Sequence, residues 1–254
     1  MTHGVGYEKN YRNIHFERRG GILLMRLHSD EGPLKWGANE GSIHGQLGHA
    51  FYDVAHDATV RVVILTGTGA SFCAELNLNE LPASVGVADW SRLMREGRDL
   101  LINLLDIEVP VIGAVNGPAY IHSQLPVLSD IVLAATNAEF ADLAHFVHGV
   151  VPGDSVQVIW PMLLGINRAR YFLMTGQKLS AQDALQLGVV SEILRPEQLL
   201  ARAWELAADL EKKPAAALRG TRLALTQHLK KRLLEELGHG LALEGLGLIA
   251  HRAP

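Results

Sequence analysis

Residues Val60–Leu78 read VRVVILTGTGASFCAELNL. The run from Val60 to Leu65 is β-branched and almost wholly apolar, and Gly67-Thr68-Gly69 closes it. That is the pattern of a short buried strand feeding a tight loop. Two later segments carry further strands. In EVPVIGAVNGPA (Glu108–Ala119), Pro110 breaks the chain and Val111–Val115 is the second buried strand. In LSDIVLAATNAEF (Leu128–Phe140), Asp130–Ala135 is the third. A helix over Trp90–Ile107 separates the first two, with Leu93, Met94, Gly97, Leu100, Leu101, Leu104 and Leu105 on one stripe.

Working outward, Asn13–Arg19 and Gly21–Leu27 form a hairpin about Gly20-Gly21. A helix over Ser42–His56 follows, with Ser42 in the N-cap position. Downstream, Ser155–Leu164, Asn167–Thr175 and Ser180–Leu187 are helices separated by Gly165, Gly176 and Gly188, and Val189–Leu194 is a short strand. From Pro196 the composition turns to Ala, Leu, Lys, Arg and Glu, which favours two or three helices and no strand. The pattern divides the chain into an α/β core over 1–195 and a helical cap over 196–254. The apolar end of that cap, LALEGLGLIA, calls for cover by the rest of the fold or by a neighbouring subunit.

The 254 residues, 48% of them hydrophobic and 20% charged, suit a globular enzyme that needs no disulfide. A net charge of −4 without a Lys/Arg block argues against nucleic acid or an anionic membrane as partner. The single cysteine, Cys73, suits a reducing compartment. No apolar run reaches the roughly 18 residues of a membrane span, and the N-terminal MTHGVGYEKNYRN lacks the apolar segment of a signal peptide. A cytoplasmic protein is expected.

Within thirty-three residues the chain places His122, His145, His148 and Asp154. Imidazole titrates closest to neutral pH, so two such groups and a carboxylate at one cleft can activate a water and protonate a leaving group. A lone histidine among apolar residues is more often a hydrogen-bonded structural group, so the scaffold has to decide.

The ordered segments above, with VVPGD (Val150–Asp154) and MTGQKLSAQDALQLGVVSEIL (Met174–Leu194), resemble the crotonase superfamily over nearly the whole length. The resemblance implies a spiral of ββα units with a C-terminal helical region, assembled as trimers or dimers of trimers. It also implies stabilisation of an enolate oxygen by two backbone N–H groups, one near Ala74 or Glu75 and one in a glycine triplet; each such donor contributes about 3–4 kcal/mol. Here Ile121, His122 and Ser123 fill the triplet slot. Leu125 replaces the first hydratase glutamate, and the second falls near Ala144 or His145, neither acidic.

One branch carries this substitution, that of 6-oxocamphor hydrolase and related β-diketone hydrolases, which cleave a C–C bond between two carbonyls without coenzyme A. The likeness assigns His122, His145 and Asp154 to catalysis. It places Trp36 and His44 at the substrate, across a loop about three residues longer than usual, with Glu244 from the C-terminal helices. It implies a small apolar diketone as substrate, with no cofactor and no metal. On this reading His145 is the base for water, Asp154 fixes its tautomer, and His122 binds a carbonyl and protonates the enolate carbon. Trp36 walls the pocket, Glu244 orients His44 or lines the pocket, and His148 is structural. Three alternatives remain: a metal site of His145, His148 and Asp154, an acyl-CoA hydratase or isomerase, and a non-catalytic RNA-binding or scaffold subunit.

Overall fold

The computed structural model describes residues 6–82 and 84–251; Met1–Val5 of the polar N-terminal stretch lie outside the described residues. Strands β1 (Ile14–Arg19) and β2 (Ile22–Leu27) form the expected antiparallel hairpin, turned by Gly20 at φ +57°. β4 (Val62–Gly67), β6 (Val111–Val115), β7 (Ile131–Ala135) and β10 (Glu192–Leu194) then add in parallel, giving the order β1-β2-β4-β6-β7-β10.

The unbroken apolar runs follow from burial on both faces. Val63 and Leu65 of β4 point into the main core, while Val62 and Ile64 point the other way, onto Leu199, Ala203 and Ala207 of α7 (Pro196–Glu211). Period-two alternation thus serves two cores at once.

A second ladder lies across the turns that follow these strands. It comprises β3 (Lys35–Trp36) paired with β5 (Glu75–Leu76), the bridges Cys73–Ala119 and Ala119–Phe140, and β8 (Glu139–Phe140) paired with β9 (Leu179–Ser180). Four of the six strands of the main sheet are therefore each followed by a short extended segment and a helix. The repeats are β2, β3 and α1 (Ile43–Ala55); β4, β5 and α2 (Val87–Asp106); β6, Ala119 and α3 (Gln124–Val127); and β7, β8 and α4 (Val156–Leu164). This is the expected spiral of ββα units. α5 (Ile166–Thr175) and α6 (Ala181–Gln186) complete the element order before β10.

Two local expectations differ in detail. Ser42 sits at the N-cap of α1, but its hydroxyl makes no capping bond and is buried without a partner. Val189 and Val190 do not join β10; both backbone N–H groups close on the carbonyl of Ala184 after α6. No helix among the described residues is long and apolar enough to cross a membrane.

The C-terminal region contributes α7 and the 37-residue α8 (Ala215–His251). Arg222 fixes α8 to the core. Its buried guanidinium donates to Asp130 Oδ2 at 2.7 Å, to the Leu104 and Leu105 carbonyls at 3.3 Å and to the Ile107 carbonyl. It caps the carbonyl end of α2 with positive charge, where the helix dipole favours a cation. Asp130 keeps access to solvent and the Val111 N–H at 2.7 Å, so loss of Arg222 leaves chiefly the helix-end carbonyls unpaired. R222M should therefore lower stability by about 1–3 kcal/mol in urea titrations. R219A breaks only an exposed contact with Glu108 and should cost under about 1 kcal/mol; equal losses would contradict the anchoring role.

Candidate active site

The site begins where the loop after β6 crosses the loop after β4. The Asn116 side chain accepts from Gly67 N–H at 3.1 Å and donates to the Gly69 and Ser71 carbonyls at 2.9 and 3.0 Å. A Cβ on Gly117 would collide with the Ala70 carbonyl, so only glycine fits that crossing. The Cys73 carbonyl accepts both Tyr120 N–H and Ile121 N–H. The chain then enters His122 at φ +49°, a left-handed backbone that favours glycine. That conformation explains why glycine is the expected residue there, and the riveted loops hold the strained histidine in place.

The His122 ring lies against the Trp36 indole, with centroids 3.9 Å apart. Trp36 is held by the β3–β5 pairing and by Asn77 N–H on its carbonyl. His44, on the first turn of α1, meets Trp36 edge-on at 6.0 Å and His122 at 6.1 Å. The longer loop between Trp36 and His44 thus leaves both beside His122.

Asp154 bridges the two central histidines. Its Oδ2 lies 3.0 Å from His122 Nδ1 and accepts from Gln124 Nε2 at 2.9 Å. Its Oδ1 lies 3.5 Å from His145 Nε2. The VVPGD turn folds back to make this contact, with Gly149 at φ +76° and Ser155 at φ +87°. α8 then rests on the turn, where a Cβ on Gly153 would strike the Gly240 carbonyl. That approach brings Glu244 Oε1 to 3.8 Å from His145 Nε2.

Two orienting partners differ from expectation. Asp142, not Asp154, holds His145 Nδ1, at 2.7 Å, because the turn before the 3₁₀ segment Phe146–His148 folds the ring back on the residue three earlier. Asp154 instead binds Nδ1 of His122. Glu244 does not orient His44; that task falls to Glu96 on α2, 3.1 Å from His44 Nδ1. Arg92 pairs with Glu96 at 2.8 Å and donates to the Ala38 carbonyl, tying the loop before α1 to α2. Burial opposes the charge on Glu96, but the bonds from His44 and Arg92 hold its carboxyl below the usual range.

The remaining candidates stand further out. Ala74 follows Cys73, whose carbonyl binds Tyr120 and Ile121, so its backbone lies beside the His122 slot. Glu75 is paired through β5, and its side chain is exposed and bonded to Lys35 at 3.0 Å. Leu125 is a buried core residue and Ala144 is half-buried. His148 is exposed, and among the described residues it brings no ligand atom into a group with His145 and Asp154. The metal alternative loses its third ligand.

The electrostatics separate the two histidines. His122 Nδ1 stands 3.0 Å from Asp154 Oδ2 and 3.1 Å from Gln124 Nε2; a proton on Nδ1 serves the carboxylate, which only accepts. Burial lowers the His122 pKa below the ordinary imidazole value, and the nearby Asp154 raises it too little to compensate. His122 is thus neutral, with a lone pair on Nε2. Burial also works against charge on His145, but Asp154, Asp142 and Glu244 together raise its pKa to about 10. It is an imidazolium at neutral pH. Burial opposes charge on Asp154 too, yet His145 and His122 keep its carboxyl below the usual range. Glu244 is pushed up to about 8, first by burial and then by Asp154 and Asp142, against the pull of His145.

Asp142, Gln124 and Glu96 are not among the residues that the sequence pattern singles out. Asp142 and Gln124 stand three residues before His145 and two after His122, so local spacing held a signal. Glu96 carried none, since α1 and α2 meet only in the fold.

A family model for enoyl-CoA hydratase/isomerase matches residues 17–244. Carnitinyl-CoA dehydratase of Citrobacter koseri is 31% identical over 199 residues, covering 78% of this chain and 74% of that protein. A probable peroxisomal enoyl-CoA hydratase of Arabidopsis thaliana is 31% identical over 226 residues, covering 89% and 81%. Among solved structures, a β-diketone hydrolase from the cyanobacterium Anabaena, bound to (S)-3-oxocyclohexyl acetic acid, superposes with a TM-score of 0.93. It is 45% identical, covering 97% of this chain and 98% of that one. An enoyl-CoA hydratase/isomerase from Mycobacterium paratuberculosis follows at TM-score 0.86 and 28% identity, covering 93% and 94%. With the ββα spiral and the family match running through nearly the whole fold, the chain belongs to the enoyl-CoA hydratase/isomerase family, within the crotonase superfamily.

Proposed function

We propose that this protein is a hydrolase that cleaves the C–C bond between the carbonyls of a small cyclic β-diketone, giving a keto acid without coenzyme A. The observation that carries this reading is a buried carboxylate, Asp154, set between two buried histidines, 3.0 Å from His122 Nδ1 and 3.5 Å from His145 Nε2. The Anabaena neighbour supports it: 3-oxocyclohexyl acetic acid is the keto acid that water would make by opening a bicyclic 1,3-diketone between its carbonyls.

The protonation states reassign the two histidines. His122, neutral and backed by Asp154, takes a proton from water through Nε2 as the water oxygen bonds to one carbonyl carbon. The tetrahedral oxyanion collapses, the C–C bond breaks, and its electron pair becomes an enolate on the other carbonyl. The imidazolium of His145 faces that developing charge. His122 returns its proton to the enolate carbon. One water is consumed and both histidines end as they began. Trp36 packs the apolar ring of the substrate beside His122.

The curated relatives named for acyl-CoA chemistry favour a second reading, turnover of an acyl-CoA thioester. The site opposes it, because Leu125 and Ala144 put no carboxylate at the two hydratase positions.

A panel of mono- and bicyclic β-diketones, followed by loss of the diketone absorbance and mass of the product, should show hydrolysis to keto acids. H122A should reduce kcat by about 10²–10⁴. Intact diketones alongside hydration of crotonyl- or carnitinyl-CoA would overturn the proposal.

The pH profile of kcat/KM follows from the site. Its acid limb should lie below the ordinary imidazole value, because burial lowers His122. Its alkaline limb should fall near pH 8, where Glu244 loses its proton and adds negative charge beside the forming enolate. E244Q stays neutral, so its alkaline limb should move up from pH 8, to where His145 titrates under Asp154 and Asp142 alone. An unmoved limb near pH 8 would show that Glu244 does not set it.

A further inference from the structure

We infer that Asp142 is a positioning residue, the dedicated counter-ion that aims His145 Nε2–H at the reacting carbonyl and keeps that ring available as the acceptor of enolate charge. This rests on the hydrolase reading above and adds a residue to it.

The geometry assigns each histidine its own carboxylate. Asp154 Oδ2 takes His122 Nδ1 at 3.0 Å, and Asp142 Oδ1 takes His145 Nδ1 at 2.7 Å. Asp142 is only 2% exposed. Its Oδ1 also receives Ala144 N–H at 3.4 Å, and its Oδ2 has no hydrogen-bond partner among the described residues. A carboxylate buried with so few partners is costly unless it faces a cation. His145 is the cation it faces.

The chain bends to make that contact. His145 sits at φ −113° and ψ −99°, outside the helical and extended regions, and this bend brings its ring onto Asp142. With Nδ1 held there, Nε2–H points toward Asp154 Oδ1 at 3.5 Å and Glu244 Oε1 at 3.8 Å. Both distances exceed a good hydrogen bond, so that N–H remains free to bind a stronger acceptor. An enolate oxygen is such an acceptor. The titratable groups around His145 come from four segments: Asp142 from the loop after β8, His122 ahead of α3, Asp154 ahead of α4, and Glu244 from α8. Asp142 alone reaches Nδ1.

D142N separates charge from shape, since the asparagine oxygen still accepts Nδ1–H. In D142N, kcat for the diketone should fall about 10²-fold while KM changes less than about threefold. The kcat profile should gain a descending alkaline limb at lower pH than in wild type, as His145 loses one of its counter-charges. Uniform loss of activity at every pH, with the profile unchanged, would show a merely structural residue and overturn the inference.

A second readout needs no substrate, so it survives failure of the hydrolase reading. A histidine whose pKa is raised by folding contributes stability below about pH 6.5, and that contribution is lost as pH rises toward its folded value. The difference in melting temperature between wild type and D142N should thus be largest at pH 6 and shrink by pH 10. A constant offset would contradict the counter-ion role. If D142N does not fold, D142S, which is smaller and admits water, takes its place in both measurements. Intact diketones with a pH-dependent offset would refute the reaction but keep the pairing.

Discussion

One carboxylate between two imidazoles is the contact on which the rest of the candidate site depends. Asp154 touches His122 with one oxygen and His145 with the other, inside a cluster that excludes most water. In such surroundings a charge is tolerated only when paired, so the proton count of the cluster is fixed by where its carboxylates sit. Asp142 and Asp154 crowd His145 and hold it as a cation, with Glu244 beside them. His122 has only the shared Asp154 and stays neutral. The scaffold exists to deliver that asymmetry. Asn116 and Gly117 rivet the loop that carries His122, and the glycines at 153 and 240 let α8 approach closely enough to insert Glu244.

The arrangement recasts chemistry common to the superfamily. Stabilising an enolate with backbone N–H groups needs a glycine-rich triplet through which the chain approaches the substrate. Here His122 fills the expected triplet slot, Leu125 stands where the resemblance puts one hydratase carboxylate, and Ala144 or His145 where it puts the other. A buried imidazolium offers a full positive charge where a peptide offers a partial one, and low polarity strengthens its effect. The same burial raises Glu244 to about 8, so it adds little negative charge to the cluster at pH 7.

The fold was largely legible because its strands are short apolar runs bounded by Gly or Pro, and because both faces of the sheet are covered. The β3–β5 and β8–β9 pairs, two residues each, carry no periodicity and emerge only when the spiral stacks. At the site, His122 announced itself by occupying a glycine position, and the positive φ there is the physical reason. Trp36, His44 and Glu244 were placed by resemblance and do converge on the cluster. The partnerships were not legible. Which nitrogen of His145 meets which carboxylate depends on one backbone bend at that residue, and a nine-residue separation from Asp154 said nothing of the three-residue turn to Asp142. Glu96 reaches His44 from another helix, a contact that no local pattern encodes.

The division of charge between the two histidines is the central claim, and nitrogen NMR of the ligand-free protein tests it most directly. With 15N-labelled histidine at pH 7.5, His145 should show both ring nitrogens protonated, and His122 should show a protonated Nδ1 and a bare Nε2. A neutral His145 beside a cationic His122 would contradict the account, because the base and the charge acceptor would then exchange places.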